Sequence, residues 1–325
     1  VNKRKILFIG GTKFIGKELA LRFITEGHDV TLFSRSNIVV PGARTLQGDR
    51  EVAADLEKLA HSIMGIEFDA VYDMCGYTLE HAESIYPIIQ NHTKRLIFFS
   101  TAAVYPETDH FPLREDHETG PHPSFGEYGS NKASIEKFYH RKALSDNFQL
   151  TIFRPHYIFG VGDYFQRHEY LLSRLEHHNP VYVPGNGQAV IQLAWHEDVV
   201  RLFHDVPFTQ RSQVETLNIG GDEMFNLNGL IRSFAATLGV EPLIKHVRYE
   251  DHGFNERRFY DNFFIFPNLN LILDNTKAKQ IYGYTPAPLK YVTARLVQDW
   301  ENRRQTYQPN KGAEQAFGAK ADGLS

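Results

Sequence analysis

A chain of 325 residues and 37.3 kDa exceeds the ~100–200 residues of one ordinary domain and suits a large α/β unit with a smaller partner. Its 42% hydrophobic and 23% charged residues exclude a disordered or fibrous chain, and a net charge of −4 argues against a surface that tracks nucleic-acid phosphates. The single cysteine, Cys75, excludes an intramolecular disulfide and a cysteine-based zinc site, and no apolar run approaches the ~20 residues that cross a bilayer. The chain therefore reads as a soluble cytoplasmic protein with no membrane partner.

Ile6-Leu7-Phe8-Ile9 is a continuous apolar run closed by Gly10, the pattern of a strand buried on both faces. Phe14, Ile15, Leu19, Ala20, Phe23 and Ile24 then recur on one helical face, and Gly27 stands where a helix stops. A second buried strand is predicted over 30–33 and further strands over 70–72, 95–100 and 150–154, with helices over 79–91 and 128–145. Strands that alternate with helices pair in parallel through right-handed crossovers. The expected fold class is α/β, a doubly wound parallel sheet of the Rossmann type with a smaller, discontinuous C-terminal substrate domain.

Past Pro155 the texture changes. Gly160, Gly162, Pro180, Pro184, Gly185 and Gly187 mark loops, a short helix is predicted over 198–205, and a strand over 217–219 ends in Gly220-Gly221. Asn226 and Gly239 bracket a capped helix. Residues 254–267, rich in aromatics, Arg and Asn, lack a period and read as a loop covering a site. The expected division is 1–157, with 188–220 returning to it, for the nucleotide-binding domain, and 158–187 with 221–308 for the substrate domain. Residues 309–325 read as a flexible tail.

Gly10-Gly11-Thr12-Lys13-Phe14-Ile15-Gly16 joins the first strand to the first helix. There a dinucleotide-binding fold needs glycines, because backbone must approach a pyrophosphate lying on the helix N-terminus. Gly10 and Gly16 hold the outer positions of Gly-x-x-Gly-x-x-Gly, and Lys13 holds the middle one. At the end of the second strand a carboxylate would hold the ribose 2′-hydroxyl of NAD. Here stand Ser34 and Arg35, so Lys13 and Arg35 favour the 2′-phosphate of NADP, with NAD the alternative. Asp49 could accept from the adenine amino group or simply close a turn.

Tyr128-Gly129-Ser130-Asn131-Lys132 puts a phenol and an amine on one helical face, four residues apart. A free tyrosine titrates near ~10, so a neighbouring cation is needed for it to move protons at neutral pH. Thr101 closes the strand over 95–100 and would lie beside that helix at the carboxyl edge of a parallel sheet.

With these motifs the sequence resembles the extended short-chain dehydrogenase/reductase superfamily, the nucleotide-sugar epimerase and dehydratase group, over residues 5–305. The resemblance rests on the glycine loop, Ser100-Thr101-Ala102-Ala103-Val104-Tyr105, Tyr128-x-x-x-Lys132, Arg154-Pro155 with Gly160 and Asp163, and Asn218-Ile219-Gly220-Gly221. Asp274-Asn275-Thr276-Lys277-Ala278 and Tyr282-Gly283-Tyr284-Thr285-Pro286 complete it. It implies an NAD(P)-dependent oxidoreductase or epimerase acting on a small hydroxyl or carbonyl substrate, with a nucleotide-linked sugar among the candidates. Thr101, Tyr128 and Lys132 become the catalytic trio, and no metal is implied. Cofactor contacts are expected from Gly10, Thr12, Lys13, Phe14, Ile15, Gly16, Ser34, Arg35, Asp49, Met74, Tyr128, Lys132 and Pro155. A homodimer is compatible with this group.

Two departures stand out. Family 4,6-dehydratases carry Asp-Glu after the catalytic Thr, whereas Ala102-Ala103 follow here, which argues against elimination chemistry. In the Arg-x-x-x-His-x-x-Asp segment that reads a sugar-nucleotide pyrophosphate, Ile191 and Trp195 hold the Arg and His positions. Lys13 in the glycine loop and Gln192-Leu193 look more like an atypical branch that includes the RNA-binding chloroplast stem-loop-binding proteins. The rival expectations are an RNA-binding or ribonuclease-like protein of that branch, and a sensor that binds NADP without turnover. The acidic pI and the intact trio count against both. Among the sixteen histidines, His110, His117 and His122 read as structural or solvated and His177-His178 as a helix cap. Tyr105 and Arg154 are each balanced between ligand contact and a structural role.

Overall fold

A computed structural model describes residues 3–209, 212–248 and 266–308. Strand β1 (Lys5–Ile9) buries its last four residues and enters helix α1 (Phe14–Thr25) through the glycine loop. Helix α1 stops as its sequence requires, with Gly27 at φ +87°, a left-handed turn that a Cβ would strain. Strands β2 (Asp29–Ser34) and β3 (Arg44–Gln47), helix α2 (Ala53–Ile63), strand β4 (Ala70–Asp73), helix α3 (Leu79–Ile89) and strand β5 (Arg95–Phe99) follow. A 3-10 turn over Ala102–Val104 precedes helix α4 (Gly126–Asp146) and strand β6 (Gln149–Pro155).

The remaining elements are β7 (Ile158–Phe159), α5 (Arg167–Glu176), β8 (Val181–Pro184), β9 (Val190–Ile191), β10 (Ala194–Trp195) and α6 (His196–Thr209). After them come β11 (Val214–Ile219), β12 (Phe225–Asn226), α7 (Leu227–Leu238), β13 (Ile244–Val247), α8 (Thr276–Tyr282) and α9 (Leu289–Arg303). Helix α6 is longer than the predicted 198–205, because Val199, Leu202, Phe203 and Val206 keep burying one face. Both caps of α7 are as predicted: the Asn226 side chain accepts from the Gly229 N–H at 2.7 Å, and Gly239 turns at φ +75°. The predicted tail beyond 308, and residues 254–265 of the predicted covering loop, lie outside the described residues. Among the described residues no helix is long and apolar enough to cross a membrane.

Seven strands form one sheet in the order β3-β2-β1-β4-β5-β6-β11, with every neighbouring pair parallel. This is the doubly wound α/β fold expected from the alternation of elements. Chain order reverses between β1 and β4, so a crevice opens at their carboxyl ends. Successive residues of β1 feed opposite faces: Phe8 packs with Phe23, Tyr72 and Phe203, while Leu7 packs with Val71, Phe98 and Tyr139. A third cluster joins α5, α7 and α9 around Phe159, Phe234, Phe266 and Trp300, and extends to Ala102, Ala103 and Tyr105 just past β5.

Helix α4 seats tightly on the 3-10 turn. A Cβ added at Gly129 would lie 2.1 Å from the Ala103 carbonyl oxygen, a backbone atom with no room to yield. Gly129→Ala should therefore cost about 1–3 kcal/mol, the range for overpacking, read as a lower midpoint in denaturant unfolding. An unchanged midpoint would mean that α4 is free to shift on the turn.

Candidate active site

A cleft of about 890 Å³ lies at the carboxyl edge of the sheet. It gathers every residue expected there: Gly10, Thr12, Lys13, Phe14, Ile15 and Gly16 from the first loop, Ser34, Arg35, Asp49 and Met74 from the next three strand ends, and Thr101, Tyr128, Lys132 and Pro155. Residues as far apart as Gly10 and Pro155 meet because parallel strands all end on the same edge.

The glycine loop fits a dinucleotide cradle. Gly10 and Gly11 sit at φ +82° and +86°, and a Cβ on Gly16 would fall 2.3 Å from the Cα of Gly11. Helix α1 has Lys13 as N-cap without a side-chain capping bond, and no acidic residue in its first turn. Its N–H groups are therefore placed to bind an anion rather than being quenched by a carboxylate. Phe14 also turns left-handed, at φ +43°, with its ring stacked 6.1 Å from that of His196. His196 Nδ1 in turn bonds Glu18 of α1 at 2.6 Å, fastening α6 to α1. Just past β2, the Arg35 guanidinium lies 3.8 Å from the Asp49 carboxylate and its side chain is 74% exposed. Asp49 also accepts from the Glu51 N–H at 3.0 Å, so it does close a turn.

Thr101 follows β5 and caps the 3-10 turn, its hydroxyl oxygen accepting from the Ala103 N–H at 3.2 Å. That leaves the hydroxyl hydrogen to donate elsewhere. Tyr128, on the first turn of α4, is 45% exposed and faces the cleft. One turn later Lys132 is buried, and its Nζ donates to the Phe99 carbonyl at 2.7 Å. Burial pushes the Lys132 amine down from 10.5 to about 8, against the opposing pull of the Asp73 carboxylate.

The same face of α4 carries Glu136 and Tyr139. Arg154 grips Glu136 through Nε at 3.1 Å and a terminal nitrogen at 2.6 Å, and the Ser100 hydroxyl donates to the same carboxylate. Arg154 reaches on to the Tyr105 hydroxyl at 2.9 Å, which donates to Asn218 at 2.7 Å. Tyr139 donates to Asp73 at 2.8 Å, and Arg50 clasps the two Asp73 oxygens at 2.8 and 3.1 Å. The Arg50 guanidinium holds the fully buried Asp73 carboxyl below the usual carboxylate range. Arg154 and Tyr105, balanced in the sequence reading, are thus structural. Sequence patterning does not single out Arg50, Asp73, Ser100 or Glu136, although Glu136 follows Lys132 by four residues and so shares its face.

Of the other candidates, Ile191 and Trp195 are buried and neither lines the cleft. Gln192 knits three segments, bonding the Gly221 carbonyl at 2.9 Å and the Leu273 N–H at 2.8 Å. His117 and His122 accept local backbone N–H groups, and His177 bonds the Ser173 carbonyl at the end of α5, as a cap should. His156 lines the cleft but is neutral: burial pushes it down to about 4, with its ring held between the Tyr157 N–H and the Leu271 carbonyl.

The doubly wound sheet, glycine cradle and Tyr-x-x-x-Lys face define a dinucleotide-dependent class of enzyme. The chain belongs to the NAD dependent epimerase/dehydratase family, whose model matches residues 6–220. It is an NAD(P)-dependent enzyme of the extended short-chain dehydrogenase/reductase type. It is 28% identical over 301 residues to the chloroplast stem-loop binding protein of 41 kDa b of Arabidopsis thaliana, covering 88% of this chain and 76% of that one. It is 30% identical over 149 residues to a UDP-glucose 4-epimerase of Corynebacterium glutamicum, covering 41% and 44%. Among solved structures, the Thermotoga maritima UDP-glucose 4-epimerase with UDP-glucose has the same fold, with a TM-score of 0.77 at 20% identity over 92% of this chain and 99% of that one. The Bacillus anthracis dTDP-glucose 4,6-dehydratase in complex with NAD gives 0.78 at 16% over 94% and 99%.

Glu136→Gln would keep the shape of the α4 face while leaving the Arg154 charge buried and uncompensated. Removing one partner of a buried pair costs about 3–5 kcal/mol. Chemical denaturation should show a loss of that size, and a loss within a few tenths would mean that water reaches Arg154.

Proposed function

We propose that the protein is an NADP-dependent oxidoreductase or epimerase that acts on a hydroxyl or carbonyl carbon of a small polar molecule, with Tyr128 moving the proton. The observation that carries this reading is one cleft that holds Tyr128, Lys132 and Thr101 beside an uncapped, glycine-lined helix N-terminus. When bound, the cofactor supplies the hydride donor and acceptor. The glycine loop and the start of α1 would hold its pyrophosphate, with Lys13 and Arg35 at the adenosine end. The Lys132 cation favours the ionised form of the Tyr128 phenol, so that it can exchange a proton with a substrate oxygen near neutral pH. Thr101 donates its remaining hydrogen to the same oxygen and orients it.

The substrate would lie against the elements from 158 to 187 and beyond 221, the division expected from the sequence. Sugar-nucleotide epimerases among the relatives support a sugar. The buried Ile191 and Trp195 argue against a diphosphate held on that segment. Alanines after Thr101 leave no acid–base pair for elimination. A second reading comes from the stem-loop binding relative, whose similarity covers most of the chain. It calls for tight binding of structured RNA at physiological salt.

Cofactor titration tests the adenosine end. NADPH should bind more tightly than NADH, and Arg35→Ala should narrow the gap by about 1–2 kcal/mol, the range for a charge-assisted hydrogen bond. Equal affinities in the parent protein would remove the assignment to Arg35.

For the chemistry, Tyr128→Phe keeps the ring and loses the hydroxyl. Turnover should fall ~10²–10⁴-fold, the span of general acid–base catalysis, with cofactor affinity little changed. Lys132→Met should lower both turnover and cofactor affinity. Near-parental turnover by Tyr128→Phe, together with salt-resistant RNA binding, would move the protein to the second reading.

A further inference from the structure

We infer that Tyr77 is a positioning residue for the reaction, because its ring is the removable wall of an aromatic box that keeps water from Lys132. The inference rests on the reading of Lys132 as the cation that assists Tyr128. Lys132 Nζ lies 4.8 Å from the ring centroid of Phe98 and 5.1 Å from that of Tyr77, and it donates to the Phe99 carbonyl at 2.7 Å. Phe98, within β5, is fully buried and cannot leave. Tyr77 belongs to the loop between β4 and α3, is 43% exposed and lines the cleft. Its N–H donates to His81 Nδ1 at 3.2 Å, and the His81 ring meets its ring edge-on at 6.5 Å, which keeps the phenol over the lysine.

The charged and titratable groups that bear on Lys132 are Asp73 at the end of β4, Cys75 just beyond it, Arg50 after β3, and Glu136 on α4 itself. Both carboxylates are already engaged, Asp73 by Arg50 and Tyr139, Glu136 by Arg154 and Ser100. The ammonium therefore exchanges much of its hydration for one carbonyl and two ring faces. Ring quadrupoles favour a cation, but lost hydration outweighs them here, and burial brings the amine to about 8. A lysine poised near neutrality gives and regains its charge readily, and its state sets how easily Tyr128 ionises. Taking away the Tyr77 ring would let water reach Nζ and restore an ordinary lysine. The hydroxyl of Tyr77 is not needed, since burial pushes it up to about 12 and keeps it neutral.

The test is NMR titration of cofactor-free protein carrying lysine labelled at Cε, with the Lys132 signal assigned by its loss in Lys132→Arg. The parent midpoint should lie near 8. Tyr77→Ala should raise it by about one pH unit or more, as expected when burial is relieved, and Tyr77→Phe should leave it in place. Circular dichroism melts check that the variants fold, and Tyr77→Val serves where the alanine variant does not. An unmoved midpoint in the alanine or valine variant overturns the box, and so does an equal shift in Tyr77→Phe. The alkaline limb of turnover should follow the midpoint. If the midpoint moves and the limb stays, the box stands, but the reading of Lys132 as the partner of Tyr128 falls, and with it the role of Tyr77 in the reaction.

Discussion

Helix α4 turns three ionisable side chains, Lys132, Glu136 and Tyr139, toward the carboxyl ends of β4, β5 and β6, and the cleft depends on that one buried polar face. Lys132 is tied to the last carbonyl of β5, Glu136 to Ser100 and Arg154, and Tyr139 to Asp73. Together these bonds join the helix to the ends of β4, β5 and β6. A rotation or slide of α4 would break all of them together, so Tyr128 on its first turn inherits a fixed position. Gly129, pressed on the Ala103 carbonyl, removes the remaining freedom by contact rather than by charge.

Two arginine–carboxylate pairs inside this face raise the question of what they contribute. Removing charges from water costs several kcal/mol per ion, and mutual attraction recovers it only with good geometry and full hydrogen bonding. The geometry is good in both: Arg50 and Arg154 each engage two oxygens of their partner and the carboxylates' spare lone pairs are taken by Tyr139 and Ser100, although the buried Arg50 Nε is left without a partner among the described residues. An apolar replacement of similar volume could be as stable. It would not distinguish one register of α4 from the next, whereas a guanidinium and a carboxylate do. The network is better understood as fixing position than as adding stability.

Sequence legibility follows the same division. The β1 run and the glycine loop can be read because burial on both faces and steric exclusion of Cβ act within a few residues. The Tyr128–Lys132 pair can be read because helical period places it. Strand β3, with one half-buried and three exposed residues, leaves a weak trace. The Arg50–Asp73 and Glu136–Arg154 pairs span 23 and 18 residues and exist only once β4 lies beside β1 and β6 beside β5. The same holds for β13, which pairs with β8 across two intervening helices and four strands. Tyr77 is a plain loop tyrosine until the fold brings it over Lys132. Every position expected from the family resemblance lines the cleft, because the motifs of that resemblance mark strand ends.

That last point separates the half of the cleft that is general from the half that is particular. Strand ends and a glycine loop are what a doubly wound sheet offers any dinucleotide, and the fold itself persists in proteins at 16–20% identity. The departures sit elsewhere. Lys13 and Arg35 bring positive charge to the cleft, while Ile191 and Trp195 are buried and do not line it. Gln192, between the two apolar residues, spends its amide on the Gly221 and Leu273 backbone, so that segment serves as a brace between β9 and the turn after β11. That segment therefore holds the fold together and does not line the cleft.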